Sequence, residues 1–275
     1  MIDSSAVSIA PMMDWTDRHC RYFYRLLSNN TQLYTEMITS KAILRGDKNR
    51  LLDFNASEHP LTLQLGGSDP KEMAECAQIA QKWGYDEVNI NVGCPSDRVH
   101  SGSFGACLMK EPDLVAACVE SMIDKCDIPV TVKSRIGIDD MESYAEVRDF
   151  VSRINSKGCE HFIIHARKAW LQGLSPKENR TIPPLNYPWV YELKKDFPQI
   201  QITINGGITS CLEIKSHLDY VDGVMLGRAV YNNPFILSEV DSDIFAEKKN
   251  PINREKVLKN YMVYMNKQLK IGVPI

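Results

Sequence analysis

No two of the eight cysteines stand close enough to make a C-x-x-C pair, which removes the ligand spacing of a structural zinc site. A chain of 275 residues also has no need of a disulfide framework. A reducing cytoplasm is therefore the expected compartment, and no metal centre is expected. Any apolar run of bilayer-spanning length is missing as well. The start, Met1 to Ala10, lacks the basic-then-apolar order of a secretory signal. No membrane partner is expected. An excess of one charge is absent too: 32 Lys and Arg stand against 35 Asp and Glu, for a formal charge of −3. That balance argues against a general cationic coat for nucleic acid, though a local basic patch stays open. There is no low-complexity tract and no repeat beyond a strand–helix unit, and a monomer is expected.

What is present is an ordinary globular mixture, 44% hydrophobic and 24% charged. Strand and helix patterns alternate along it. Apolar runs at Val7–Met12, Leu33–Ile38, Leu61–Leu65, Val88–Val92, Pro129–Ile136, His161–Arg167, Gln201–Asn205 and Val221–Leu226 read as strands. Between them, residues recur at helical spacing: Met73, Cys76, Ala77 and Ala80; then Val115, Cys118, Val119 and Met122; then Tyr144, Val147, Val151 and Ile154. Asp69 with Pro70 and a back-reaching Glu72 predicts one helix start, and Asp139 with Glu142 another. Gly84 and Gly158 predict the ends. Such alternation implies a parallel sheet, and eight strands in this length favour a closed (β/α)8 TIM barrel over residues 1–240.

One stretch stands out, Asn89-Ile90-Asn91-Val92-Gly93-Cys94-Pro95-Ser96. Val88, Ile90 and Val92 take one face of its strand, so Asn89 and Asn91 take the other. A lone cysteine is usually a small buried hydrophobe. Cys94 instead sits in a Gly-Cys-Pro turn at a strand's C-terminal end, with Arg98 and His100 close behind, and reads as functional. Gln64, Lys133, His165 and Asn205 alternate with apolar neighbours in the same phase as Asn91. All five are expected to point into the barrel mouth, where barrel enzymes keep their chemistry.

The last two strands run into Asn205-Gly206-Gly207 and Gly227-Arg228, the loops with which many barrels bind phosphate. An anion site beside a polar lumen suits either a phosphosugar or a flavin mononucleotide. Lys133 fits both, as a Schiff-base amine or as a cation against a flavin. Gln64 and Asn205 suit the flavin better. The long segment 168–188, with Trp170, Lys177 and Arg180, is expected to be a functional loop.

Taken together, Ala10-Pro11-Met12-Met13-Asp14-Trp15-Thr16-Asp17, Gln64-Leu65-Gly66-Gly67, the Cys94 stretch, Lys133-Ser134-Arg135, His165-Ala166-Arg167 and Asn205-Gly206-Gly207 resemble the flavin-dependent tRNA-dihydrouridine synthases. Residues 168–184 resemble their A subfamily. The resemblance implies reduction of the C5–C6 double bond of uridine 20 or 20a in the tRNA D loop. NADPH would reduce FMN, which passes hydride to C6, while Cys94 protonates C5. It further implies that Pro11, Met12, Met13, Gln64, Lys133, His165, Asn205, Gly206, Gly207, Gly227 and Arg228 hold FMN, and that Asn91, Lys177 and Arg180 contact tRNA. Arg98 is a further candidate for the flanking phosphates.

Beyond the barrel, 241–253 is polar enough for a linker, and a helix is predicted from Arg254 to Lys270 with Leu258, Tyr261, Met262, Met265 and Leu269 on its packing stripe. By resemblance, 241–275 is the start of a C-terminal helical tRNA-binding domain; either the product is truncated, in which case FMN binding and NADPH oxidation with weak tRNA affinity and poor modification are expected, or its tail lies outside this numbering. Other readings compatible with the residues are an FMN barrel acting on a free pyrimidine or enone, a phosphosugar lyase using Lys133, and an RNA-binding module without catalysis.

Overall fold

Short apolar strands, each followed by a helix whose stripe must be buried, can satisfy one another only by wrapping into a ring. The computed structural model describes residues 6–96, 104–245 and 252–273. Its sheet contains β1 (Val7–Ile9), β2 (Leu33–Tyr34), β3 (Ile38–Thr39), β4 (Leu61–Gly66), β5 (Glu87–Val92), β6 (Val130–Arg135), β7 (His161–His165), β8 (Gln201–Asn205) and β9 (Gly223–Leu226). Every pairing is parallel, and the order runs β1-β9-β8-β7-β6-β5-β4-β2. The ring closes between β1 and β2, where Ser8 bridges Gln32 and the Ile9 N–H donates to the Gln32 carbonyl at 2.9 Å. The chain is a (β/α)8 barrel.

The second wall strand differs from the expected unbroken run at 33–38. It splits into β2 and β3, both paired with β4, and leaves the ladder between them. The three predicted stripes pack inward: Met73, Cys76, Ala77 and Ala80, then Val115, Cys118, Val119 and Met122, then Val147, Val151 and Ile154 are all buried. Helix ends follow local chemistry. Asp69 accepts from the Lys71 and Glu72 N–H groups, and Gly84 closes that helix at φ +92°. Glu72 does not reach back; its carboxylate takes the Ser40 hydroxyl at 2.9 Å. The helix Tyr144–Asn155 is capped by a Ser143/Glu146 box rather than by Asp139. Asp139 accepts the Leu171 N–H at 2.8 Å instead, and so ties the loop after β6 to the long segment after β7.

The barrel floor is polar. The Tyr34, Thr62 and Thr131 hydroxyls all donate to Glu87 Oε1, at 3.1, 3.2 and 2.8 Å. Burial pushes the Glu87 carboxyl up to about 7. Its folded value lies above the unfolded one, so its contribution to stability falls as pH rises from about 4.3 to 7. Glu87→Gln is expected to flatten that slope in urea titrations at stepped pH; an unchanged slope would show Glu87 ionised throughout.

The helix Arg254–Lys270 forms where predicted, on a different face. Tyr264 stacks on Tyr22 with ring centroids 3.7 Å apart and pairs with His19 through its hydroxyl at 2.9 Å; Val257 and Gln268 are buried beside it. Of the expected stripe, Leu258, Met262 and Leu269 are exposed, Met262 by 63%. Aromatic stacking on the helix Arg18–Arg25 outweighs the aliphatic stripe. The expected linker is partly helical as well, since the helix Leu237–Asp243 runs into it. Among the described residues, no helix is long and apolar enough to cross a membrane.

Candidate active site at the barrel mouth

Strand phase decides which side chains meet. Gln64, Asn91, Lys133, His165 and Asn205 come from β4 to β8, and all five line one cavity of about 410 Å³ at the C-terminal ends of the strands. Pro11, Met12, Met13, Cys94, Arg180, Gly206, Gly207, Gly227 and Arg228 complete the expected set around it. Lys177 does not line it; it is exposed one residue beyond Pro176, which does. Arg98 and His100 lie outside the described residues.

Cys94 is held by its backbone. Asn91 Oδ1 accepts the Gly93 and Cys94 N–H groups, both at 3.0 Å, and the Ala106 N–H donates to the Cys94 carbonyl at 2.9 Å. The thiol lies 3.6 Å from Ser96 Oγ. Gly93 is not in a left-handed conformation, and an added β-carbon would meet only ordinary contact, 3.5 Å from Ser134. Hydrogen bonds, rather than glycine freedom, make this turn. The other cysteines differ: Cys76, Cys118 and Cys159 are buried, and burial pushes their thiols up to about 12.

The amides form a ladder across the strands. Asn91 Nδ2 donates to Gln64 Oε1 at 2.8 Å, Gln64 Nε2 to Asn89 Oδ1 at 2.8 Å, and Asn89 Nδ2 to Thr131 Oγ1 at 2.9 Å. This fixes all three amide orientations and leaves one Asn91 Nδ2 hydrogen for a ligand. Lys133 Nζ donates to Asn205 Oδ1 at 3.2 Å, and Asn205 Nδ2 to the Met225 carbonyl at 2.8 Å. Burial, then the nearby Arg135 charge, lowers the Lys133 ammonium to about 7. Burial, then Arg135, Lys133, Arg167 and Arg228, holds His165 well below the usual imidazole range. At neutral pH His165 is thus an uncharged hydrogen-bonding group among cations. Such a cluster favours an anion.

The loop after β8 supplies close approach. Gly206 and Gly207 have φ of +120° and +77°. A β-carbon on Gly206 would lie 2.8 Å from His165 Cδ2, and one on Gly207 2.6 Å from Leu185 Cδ1. The Tyr187 hydroxyl donates to the Gly206 carbonyl at 2.7 Å and braces the loop. At Gly227 an added β-carbon would meet only Ala10, at 4.0 Å, so there the backbone opens onto free space. Gly206→Ala is expected to cost about 1–3 kcal/mol of backbone strain and to abolish retention of a cavity ligand, read as loss of bound chromophore after desalting. Full retention would separate this loop from the ligand.

On the other side, Thr16 pins the Pro11–Asp14 loop, accepting the Met12 N–H at 2.9 Å and donating to the Met12 carbonyl at 3.2 Å. The cavity also includes residues that sequence reasoning did not select. Met37 enters at the break between β2 and β3, and Arg135, Pro176, Ile208, Thr209 and Asn232 contribute as well. Arg135 had a signal available, since it shares the inward phase of Lys133 on β6. Met37 had none, because its position depends on the strand break.

A cavity of this size falls within the roughly 300–1,000 Å³ of small-molecule sites. Its neutral amides, cation cluster and glycine-rich anion loops fit a flavin carrying one phosphate.

The chain is 58% identical to the tRNA-dihydrouridine(20/20a) synthase of Synechocystis sp. over 266 residues, 97% of this chain and 80% of that protein. It is 57% identical to the enzyme of the same name from Vibrio cholerae over 273 residues, 99% and 83% of the two chains. With that of Escherichia coli K12 it shares 57% identity over 270 residues, 98% and 78%. The family model for dihydrouridine synthases (Dus) matches residues 8–274. With the match spanning barrel, mouth and C-terminal helix alike, the chain belongs to the dihydrouridine synthase family.

Proposed function

We propose that this protein reduces uridine 20 or 20a of the tRNA D loop to 5,6-dihydrouridine, with FMN as bound cofactor and NADPH as reductant. The observation that carries this reading is convergence: Cys94 shares one cavity with Lys133, His165, Asn205 and Arg228, drawn from five parts of the barrel. Pro11 to Met13, Gln64, Lys133, His165, Asn205 to Gly207, Gly227 and Arg228 would hold the flavin. When bound, that group supplies the hydride that goes to C6 of the uracil. Cys94 gives the proton to C5. Asn91 fixes the turn that carries the thiol and offers its remaining amide hydrogen to the base edge. Lys133, held by Asn205, presents an ammonium whose protonation an anionic partner favours.

A uracil within folded tRNA cannot enter a cavity at a barrel mouth unless it leaves its stack, so the base is flipped in. Lys177, exposed on the rim, and Arg180, at the cavity edge, meet the flanking phosphates. Residues 1–240 carry the chemistry, residues 241–275 contribute to gripping tRNA, and the reaction takes place in the cytoplasm. Lys177→Ala is expected to weaken tRNA binding and reduce the salt slope of log K by about 1; an unchanged slope would remove Lys177 from the interface. The reading itself is tested by supplying NADPH with either unmodified tRNA or free uridine and quantifying dihydrouridine by mass spectrometry. Preference for the free nucleoside would overturn the tRNA assignment.

A further inference from the structure

Arg135 lines the cavity at the end of β6 with only 3% of it exposed, and three of its five N–H donors go to backbone carbonyls. Nε donates to the Gly93 carbonyl at 2.8 Å, and Nη1 to those of Lys168 and Asn179 at 3.0 and 3.1 Å. One acceptor is the peptide just before Cys94. The other two belong to the long segment after β7. Neighbouring arginines hold the same turn: Arg228 Nη2 donates to the Arg180 carbonyl at 3.0 Å, and Arg167 Nη1 to that of Thr181 at 3.3 Å.

We propose that Arg135 is a positioning residue that couples the Cys94 turn to the 168–181 segment, so that RNA engaging Lys177 and Arg180 sets the thiol against its target base. The RNA half of this inference rests on the function proposed above; the mechanical half does not. Of the anchors on the Cys94 turn, Asn91 belongs to the same strand and Ala106 to the following connection. Arg135 leads to a different segment. Charge-assisted bonds to carbonyls are strong, and a planar fork can serve three acceptors at once where a lysine ammonium keeps charge but loses that geometry. The far end is rigid as well. Asn179 is fully buried, its Oδ1 takes the Trp170 N–H at 2.8 Å, and its Nδ2 donates to the Trp170 and Leu174 carbonyls at 2.9 and 3.1 Å.

The test is a double-mutant cycle on the flavin-loaded full chain, with iodoacetamide labelling of Cys94 followed by mass spectrometry. Arg135→Lys keeps the charge, and Asn179→Ala loosens the segment without touching the Cys94 turn. Each is expected to speed labelling by on the order of tenfold, and the double variant no more than the faster single, the mark of a shared network. Multiplicative effects, or no effect of Asn179→Ala, would overturn the coupling. Should Arg135→Lys fail to fold, the Asn179 variant alone decides, since unchanged Cys94 labelling in it defeats the proposal. With saturating tRNA, Arg135→Lys is further expected to lower single-turnover dihydrouridine formation at least tenfold while tRNA affinity stays within about threefold. Loss of affinity with an unchanged rate would confine Arg135 to RNA binding. If wild-type protein makes no dihydrouridine, the substrate assignment fails separately, and the labelling cycle still decides the strut.

Discussion

Cys94→Ala is expected to lower single-turnover dihydrouridine formation by about 10²–10⁴-fold, the usual contribution of a positioned general acid, with flavin content unchanged. The two parts of this outcome have separate physical origins. Saturating C5–C6 of uracil needs a proton on the face where the base is held, and Cys94 brings a thiol to the cavity on a turn fixed by Asn91 and Ala106. Cys76, Cys118 and Cys159 are buried in the shell and cannot substitute. Flavin retention, by contrast, is proposed to draw on Gln64, Lys133, Asn205 and the glycine loops, and truncating the thiol leaves each of their hydrogen bonds in place. The measurement is rapid-quench mass spectrometry of tRNA digests alongside the flavin absorbance of desalted protein. Turnover equal to wild type would remove the thiol from the reaction; joint loss of flavin and turnover would make Cys94 a cofactor contact.

The second large effect is at Lys133. Its folded ammonium titrates near 7, well below the value of about 10.4 for a solvated lysine. Between these limits the unfolded chain carries the proton and the folded chain does not. Stability of the flavin-free protein should therefore rise with pH from about 7 to 10, at about 1.4 kcal/mol per pH unit relative to Lys133→Met. The variant, freed of a buried amine, should be the more stable apo-protein below pH 7. It should nevertheless lose flavin affinity, because the cavity forfeits the cation that Asn205 positions. An anionic ligand restores the proton, so binding to wild type at pH 8 should take up about one proton that the variant does not. Calorimetry in buffers of differing ionisation enthalpy reads this directly; equal proton uptake in both proteins would place the linkage elsewhere.

Much of this architecture is visible in the residues alone, because the period of a strand is unforgiving. Once Gln64, Asn91, Lys133, His165 and Asn205 share a phase in successive parallel strands, closure leaves them one place to go. Helix stripes behave similarly, and the three in the barrel shell pack as their spacing predicts. The misses have a common cause, competition between local signals that only tertiary contact resolves. Asp139 and Ser143 both qualify as caps; Asp139 is taken by Leu171, so Ser143 starts the helix. In the helix Arg254–Lys270 an aliphatic stripe and an aromatic one coexist, and Tyr22 and His19 supply the partners that select the aromatic face. Gly93 looks like a conformational hinge, yet the turn needs only its N–H and carbonyl. Arg135 reads as a motif neighbour of Lys133, since nothing in a linear pattern reveals that its donors reach Asn179.

The break in the second wall strand has a consequence for ligand tolerance. Where β2 stops and β3 resumes, the regular ladder lapses after Thr35, whose N–H donates to the Thr62 carbonyl at 2.9 Å and whose hydroxyl accepts the Gln64 N–H at 3.1 Å, and Met37 lies against Gly66, its sulfur within 3.0 Å of where a β-carbon would sit there. An unbranched thioether on an unladdered stretch can repack, whereas the opposite rim, braced by Tyr187 on Gly206, cannot. Enlarged ring analogues should thus be admitted or refused according to which rim their added bulk meets.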